Sequence, residues 1–379
     1  MKKAIVLGVG NAQVDLIRYL KADGWWVIGC SYRPEGRGLE YIDRFAHLNI
    51  TDVDGIKRLA CSEKADLVYS IGSDLAMPTV AKVSSALGLP VFVPKETAEM
   101  LQNKLSLRRF LAVHDISPIR HRKVCGPDDL EGWEHFPSIV KPVDNQGQRG
   151  VFLANCMEEA KAGIENSLRF SRSRVLIIEE FLEGPEVSVN TFVVNGETVF
   201  SEVSDRLVVE GYAGGIPRGH IYPSVYCPPA TMLEAQKLTH LCNHYLGVEN
   251  GPVYYQVILT CHGPRIVEAT PRLDGCHMWR LIKIVSGADL LNASVRSLLG
   301  EAPPNLCVEA DLQSHYLGFH YLPPGGKFYR SDHPAPDSVK HLEYYYADGE
   351  TVRPINGHLE KVGYYIEPYE KFLYRTRKP

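Results

Sequence analysis

None of the nine cysteines in the 379-residue chain forms a CxxC pair or a Cys/His ligand cluster. An odd, scattered set of thiols argues against a secreted disulfide framework and fits reduced thiols in a cytosol. Long apolar runs are also missing. The opening Met-Lys-Lys-Ala-Ile-Val-Leu-Gly has the charge of a signal peptide, but its apolar run ends after a few residues. No stretch approaches the roughly 18 apolar residues of a membrane span, so a cytoplasmic protein without membrane contact is expected. Neither sign of charge dominates, with 41 Lys and Arg against 45 Asp and Glu and a net charge of -4. That balance offers no nucleic-acid surface and no polybasic patch. No repeat or low-complexity tract occurs. Tyr344-Tyr345-Tyr346 has no basic cluster beside it, and reads as packing rather than as a stacking platform.

The N-terminal part reads as α/β. Ala4 to Leu7 and Trp25 to Cys30 are buried-type strands around a helix from Gln13 to Asp23, a β-α-β opening of Rossmann type. Gly8-Val9-Gly10 makes the turn. The dinucleotide fingerprint is incomplete, because Gln13 stands near the third glycine position and Cys30-Ser31-Tyr32-Arg33 lacks the ribose-binding acid. An NAD(P)-dependent oxidoreductase is therefore the remote alternative. Further repeats place strands at Leu67 to Ile71 and Val91 to Val93, with a helix from Met77 to Leu87. Gly72-Ser73-Asp74 falls at the carboxyl edge of this parallel sheet, where open α/β sheets bind ligands or cap a helix.

A helix capped by Thr97 and running to about Val113 carries Asn103-Lys104 on its polar side. The strand Ser138 to Pro142 contains Lys141 and leads into the polar, glycine-containing loop of Gly147 and Gly150. Such a loop can be a plain hairpin, or can fold its N-H groups over phosphates with the lysine adding charge. Glu179-Glu180-Phe181-Leu182 and Glu186 follow at the end of an apolar strand. Val187 to Val194, Asn195-Gly196 and Glu197 to Val203 form a type I′ hairpin. Arg206, Arg218 and His220 lie in a glycine-bearing loop that reads as mobile, where two arginines would suit a carboxylate substrate. A helix from Met232 to Leu246 should bury Leu238, Leu241, Cys242, Tyr245 and Leu246 and stop at Gly247.

Next comes a second hairpin. Gly251 to Thr260 and Pro264 to Thr270 flank Cys261-His262-Gly263, and pairing Thr260 with Pro264 puts Gln256 opposite Glu268, within about 5.5 Å at Cβ. Two oxygen donors then point at one small volume, which suits magnesium shared with nucleotide phosphates. Arg272, just past the strand end, could grip a phosphate or an oxyanion. Beyond it the chain is helical through Ser286 and again from Asp289 to Leu299, and from Pro303 is rich in Pro, Gly, Tyr and short strand signals.

Taken in order, Lys104, Lys141 with its glycine loop, Glu179-Glu180-Phe181-Leu182, Glu186, Gln256 with Glu268, and Arg272 resemble the ATP-grasp superfamily, most closely its carboxylate-amine and L-amino acid ligases. The resemblance covers most of residues 1 to 300. It implies a Rossmann-like parallel-sheet domain at 1–95, a central domain with the phosphate loop at 96–175, a catalytic ATP-grasp subdomain at 176–300, and a small C-terminal β-rich region of α+β type at 301–379 packed on it. Lys104 and Lys141 would contact ATP phosphates, with Gly147 and Gly150 in the closing loop. Glu179, or Glu180 through Leu182 by their backbone, would hold adenine, and Glu186 the ribose. Glu268 with Gln256 would ligate Mg2+, or Mn2+ in its place, and Arg272 and Lys141 would serve catalysis. Arg206, Arg218 and His220 are assigned to the acid from loop and charge alone. The implied reaction is ADP-forming: a small carboxylate attacks the γ-phosphate, and an amine, such as an amino acid, displaces phosphate from the acyl phosphate. Positioning and charge neutralisation carry such chemistry without a protein nucleophile. A homodimer is the family-level expectation. Two departures stand out, since Gln256 replaces the first metal acid and Thr270 the usual asparagine. An amide oxygen is a neutral ligand, so an ATP-binding module without turnover is the alternative.

Overall fold

The computed structural model describes residues 1–145, 149–211, 215–309, 311–355 and 359–370. The chain opens with β1 (Lys3–Leu7), α1 (Val14–Ala22), β2 (Trp26–Ser31), β3 (Arg44–His47), α2 (Val53–Glu63), β4 (Leu67–Tyr69) and α3 (Met77–Leu87). The four strands form a parallel sheet in the order β3-β2-β1-β4. Gln13 fills the β1–α1 turn, accepting from the Gly10 N-H and donating to the Ile71 carbonyl. This side chain stands within 3.0 Å of where a Cβ on Gly8 would lie. The glycines thus make room for protein, which removes the support for a dinucleotide there. Residues 91–93 form no strand.

Where one helix is expected from Thr97 to Val113, the structure has two, α4 (Lys95–Gln102) and α5 (Lys104–Val113). Asn103 is the reason. Its side chain accepts from the N-H groups of Leu105 and Ser106, an N-cap that starts a new helix in a new direction. Lys104 becomes the first residue of α5 instead of a point on a continuous polar stripe.

A smaller antiparallel sheet follows, built from β5 (His121–Val124), β6 (Ser138–Pro142), β7 (Phe152–Ala154) and β8 (Leu176–Glu180), with α6 (Met157–Leu168) packed on it. Its order is β5-β8-β6-β7. Val124, Leu130, Val140, Ile164 and Ile178 give it a core of its own.

The remaining elements are β9 (Glu186–Val194), β10 (Glu197–Val208), β11 (Pro217–Tyr222), α7 (Pro229–Tyr245), β12 (Gly251–Thr260), β13 (Gly263–Thr270), α8 (Met278–Ser286), α9 (Leu290–Leu298), β14 (His315–Leu322), β15 (His341–Tyr344) and β16 (Glu360–Pro368). All eight strands join one antiparallel sheet, β13-β12-β9-β10-β11-β14-β16-β15. Its inner residues share a continuous core with the parallel sheet. Arg218 and His220 are therefore not in a loop. They lie on β11, in the middle of the sheet, and Arg206 lies on β10 opposite His220. Gly219 is the position that misleads, since a Cβ there would come within 2.4 Å of the Leu317 carbonyl oxygen across the strand pair. It serves close backbone approach rather than mobility.

Helix α7 turns differently from its apolar pattern. Leu241 and Tyr245 are 45% and 44% exposed, while Ala235, Thr239, Cys242 and Asn243 are buried. A polar network decides this. Asn243 donates to the hydroxyls of Thr191 and Thr198 and accepts from Tyr255, and three satisfied buried hydrogen bonds fix the face that periodicity alone misplaces. Among the described residues no helix is long and apolar enough to cross a membrane.

Candidate active site

The small sheet and the large sheet face each other across a cleft of about 350 Å³. Lys104, Lys141, Glu179, Glu180 and Leu182 line one wall, and Glu186, Arg206, Gln256 and Glu268 the other. Side chains up to 194 positions apart in sequence, Asp74 and Glu268, thus share one volume.

The first wall is organised by a buried ion cluster. Glu179, 5% exposed on β8, forms ion pairs with the Lys141 ammonium at 2.6 Å and the Arg108 guanidinium at 2.8 Å. Arg108 also donates to the carbonyls of Ile266 and Val267, tying this wall to β13. Burial opposes the charge on Glu179, yet Arg108 and Lys141 outweigh it and hold the carboxyl at about 2. Burial likewise pulls the Lys141 ammonium down, against the ionised Glu179. Lys104 donates to the Asn145 carbonyl at 2.6 Å, so the start of α5 is anchored to the loop after β6. Gly147 lies outside the described residues. Gly150 has a positive φ of 78°, packs against Pro142 and Phe170, and does not line the cleft.

On the second wall, Gln256 and Glu268 are directly opposite, by a different route from the one the spacing predicts. The turn has two residues, with Thr260 facing Gly263, and a bulge between Gln256 and Val257 shifts the ladder by one. The two differences cancel. Glu186 accepts from the Gln256 Nε2 at 3.0 Å and from the Arg206 guanidinium. That hydrogen bond takes the amide's NH2 end and leaves its oxygen as the end for a cation. Thr270 is buried, with a hydroxyl that has no hydrogen-bond partner among the described residues.

Arg272 lies beside the cleft rather than in it, held by the Asp74 carboxylate at 2.5 and 2.7 Å and by the Leu273 carbonyl at 2.9 Å. Asp74 does line the cleft. The parallel sheet's carboxyl edge thereby meets the end of β13, where Gly72 N-H also donates to the Leu273 carbonyl. His220 is fully buried. Burial first, then Arg206 and Lys361, push its imidazole well below the usual range, so it is neutral at pH 7. Arg218 is exposed at the start of β11 and is not among the cleft residues.

Arg108 escapes the sequence reading, and Asp74 enters it only as part of a turn that binds ligand or caps a helix. Arg108 carries a usable signal, since it follows Lys104 by four residues and so shares its helix face. Asp74 appears in sequence only as part of a strand-end turn, and nothing local ties it to Arg272, 198 positions away.

Residues 134–278 match the model of the ATP-grasp domain family. Among curated relatives, the dapdiamide A synthase of Enterobacter agglomerans is 26% identical over 217 residues, which are 54% of this chain and 50% of that protein. The chain thus matches about half the length of that relative. The L-amino acid ligase of Bacillus licheniformis superposes with a TM-score of 0.79 at 18% identity, over 99% of this chain and 95% of that one. A biotin carboxylase domain of the 2-oxoglutarate carboxylase of Hydrogenobacter thermophilus, solved with MgADP and bicarbonate, gives 0.77 at 13% identity over 97% and 86%. At such identities the likeness of the solved structures is one of fold. Residues 134–278 thus match the ATP-grasp domain across much of the cleft, and along nearly its whole length the chain resembles in fold the carboxylate-amine ligases of that superfamily.

Proposed function

We propose that the chain is an ATP-dependent, ADP-forming ligase that joins a small carboxylic acid to an amine, with an amino acid as at least one partner. One observation carries the reading: two lysines and an acid-amide pair, far apart in sequence, face a single cleft. Lys104 and Lys141 neutralise the phosphates, and Glu179 with Arg108 holds Lys141 in place. Adenine lies along the backbone of Glu180 to Leu182. Glu186 takes the ribose and orients the Gln256 amide. The Glu268 carboxylate and the Gln256 carbonyl offer the hard oxygen donors that Mg2+ or Mn2+ prefers. Bound there, the ion would neutralise charge on the transferring phosphoryl group. Arg272, aligned by Asp74, steadies the acyl phosphate after substrate moves Asp74 or reaches past it. Arg206, which lines the cleft, is the partner of the acid, whereas His220, sealed from solvent, and Arg218, exposed outside the cleft, are not. The division at residues 95, 175 and 300 belongs to this proposal, with the last part supplying three strands of the large sheet, and so does a homodimer.

Incubating the protein with ATP, Mg2+ and a panel of amino acids should release ADP and phosphate. Release of AMP and pyrophosphate would overturn this mechanism.

The neutral Gln256 favours a second reading, an ATP-binding regulatory module without turnover. Gln256→Glu separates the two. It places two carboxylates about 3 Å apart, which a second cation would relieve. Turnover that appears only in the variant supports the module, and turnover present in both supports the ligase.

A further inference from the structure

One strand across from Arg206 lies a cluster that the ligase reading leaves mostly idle. His220 on β11, and Asp274 and Cys276 in the turn after β13, bring an imidazole nitrogen, a carboxylate oxygen and a thiol sulfur within 4.8 Å of one another. His220 and Asp274 are 0% and 2% exposed, and Cys276 is half-buried. Both ring nitrogens of His220 and the Oδ2 of Asp274 have no hydrogen-bond partner among the described residues. A sealed imidazole with two idle nitrogens is costly, and a native fold keeps such groups where something else satisfies them. The Cys276 sulfur accepts from the Lys361 ammonium at 3.3 Å. Lys361 itself rests over the Phe319 ring. Burial first, then Arg206, ion-paired to Glu186, and Lys361, which both face the imidazole, keep it neutral, the form in which it can ligate a metal.

One nitrogen, one oxygen and one sulfur donor, largely shielded from water, form the ligand set of a borderline-soft divalent ion. Magnesium, which wants oxygen alone, is poorly served by it. We propose that His220, Asp274 and Cys276 bind a zinc-class divalent cation, distinct from the ion expected at Glu268, with the fourth position left to water. Ligand atoms around tetrahedral zinc sit about 3.3 to 3.8 Å apart, given bonds of about 2.0 to 2.3 Å. Closing the cluster therefore needs a movement of about 1 Å, which rotation of Asp274 and Cys276 in their turn supplies. The site stands apart from the ligase reading, because its test reads metal binding and not turnover.

The test uses the full chain with the exposed Cys61, Cys125, Cys261 and Cys307 changed to serine, in excess Mg2+. Zinc is titrated against a chromophoric chelator, and Co2+ is added separately as a spectroscopic stand-in. One equivalent should bind at micromolar metal or tighter, with a thiolate-to-cobalt charge-transfer band. Cys276→Ser should abolish that band, and both it and His220→Gln should weaken zinc binding by about 100-fold or more. Cys276→Ser is a near-isosteric change in a half-buried turn, so it keeps the test decisive if His220→Gln fails to fold. Stoichiometric binding that survives in Cys276→Ser, a cobalt spectrum without a thiolate band, or no micromolar binding at all would overturn the site.

Discussion

Replacing Glu179 by glutamine keeps the shape of the side chain and removes the one negative charge between Lys141 and Arg108. A buried carboxyl held at about 2 against an ordinary 4.5 is favoured in its ionised form by about 3 kcal/mol. Removing one partner of a sealed ion pair costs about 3 to 5 kcal/mol, since the cations left behind are uncompensated. The loss should be local, because Glu179 bridges β8, β6 and α5. Hydrogen exchange of the β6 and β8 amides at pH 7 reads it directly, and exchange through opening should quicken roughly 100-fold in Glu179→Gln. The pH dependence has a definite sign. The folded-state value is depressed, so the contribution is complete above about 4.5 and is lost as pH falls toward about 2. The gap between variant and parent should therefore narrow on acidification from pH 7 toward pH 3. Exchange rates within about twofold at pH 7, or a gap that is constant with pH, would refute the ion-cluster account.

Lys104→Met should weaken ATP binding by about 10- to 100-fold in calorimetric titration, the worth of one charge-assisted contact of about 1.5 to 3 kcal/mol; unchanged affinity would remove Lys104 from the phosphate site. Gly219→Ala should lower the thermal midpoint, because its Cβ would come within 2.4 Å of the Leu317 carbonyl and cost on the order of 1 to 3 kcal/mol. An unchanged midpoint would show that β11 and β14 can part without cost.

What the sequence disclosed and what it hid follow from the range of the interactions involved. The Rossmann opening, the Asn195-Gly196 turn and the Met77–Leu87 boundaries of α3 rest on neighbours in the chain, and they are legible there. Gln256 opposite Glu268 is legible too, but through two offsetting differences, a shorter turn and a bulge. Nothing in a local pattern counts bulges. Resemblance alone assigns Lys104 to phosphate, whereas its place at a helix start depends on the Asn103 cap. His220 looks like a loop residue because Gly219 beside it usually signals freedom; the Leu317 backbone gives that glycine another purpose. The commitments of Arg272 to Asp74 and of Glu179 to Arg108 and Lys141 are tertiary facts, which neither the adenine role expected of Glu179 nor the sheet-edge turn of Asp74 foretells.

A crystal structure with a non-hydrolysable ATP analogue and Mg2+ tests the central claim most directly. The triphosphate should lie between Lys104 and Lys141 on one side and Glu268 on the other, with the metal against the Glu268 carboxylate and the Gln256 amide oxygen. Nucleotide bound at the β1–α1 turn, or anywhere that leaves those lysines and Glu268 without a shared phosphate, would contradict it.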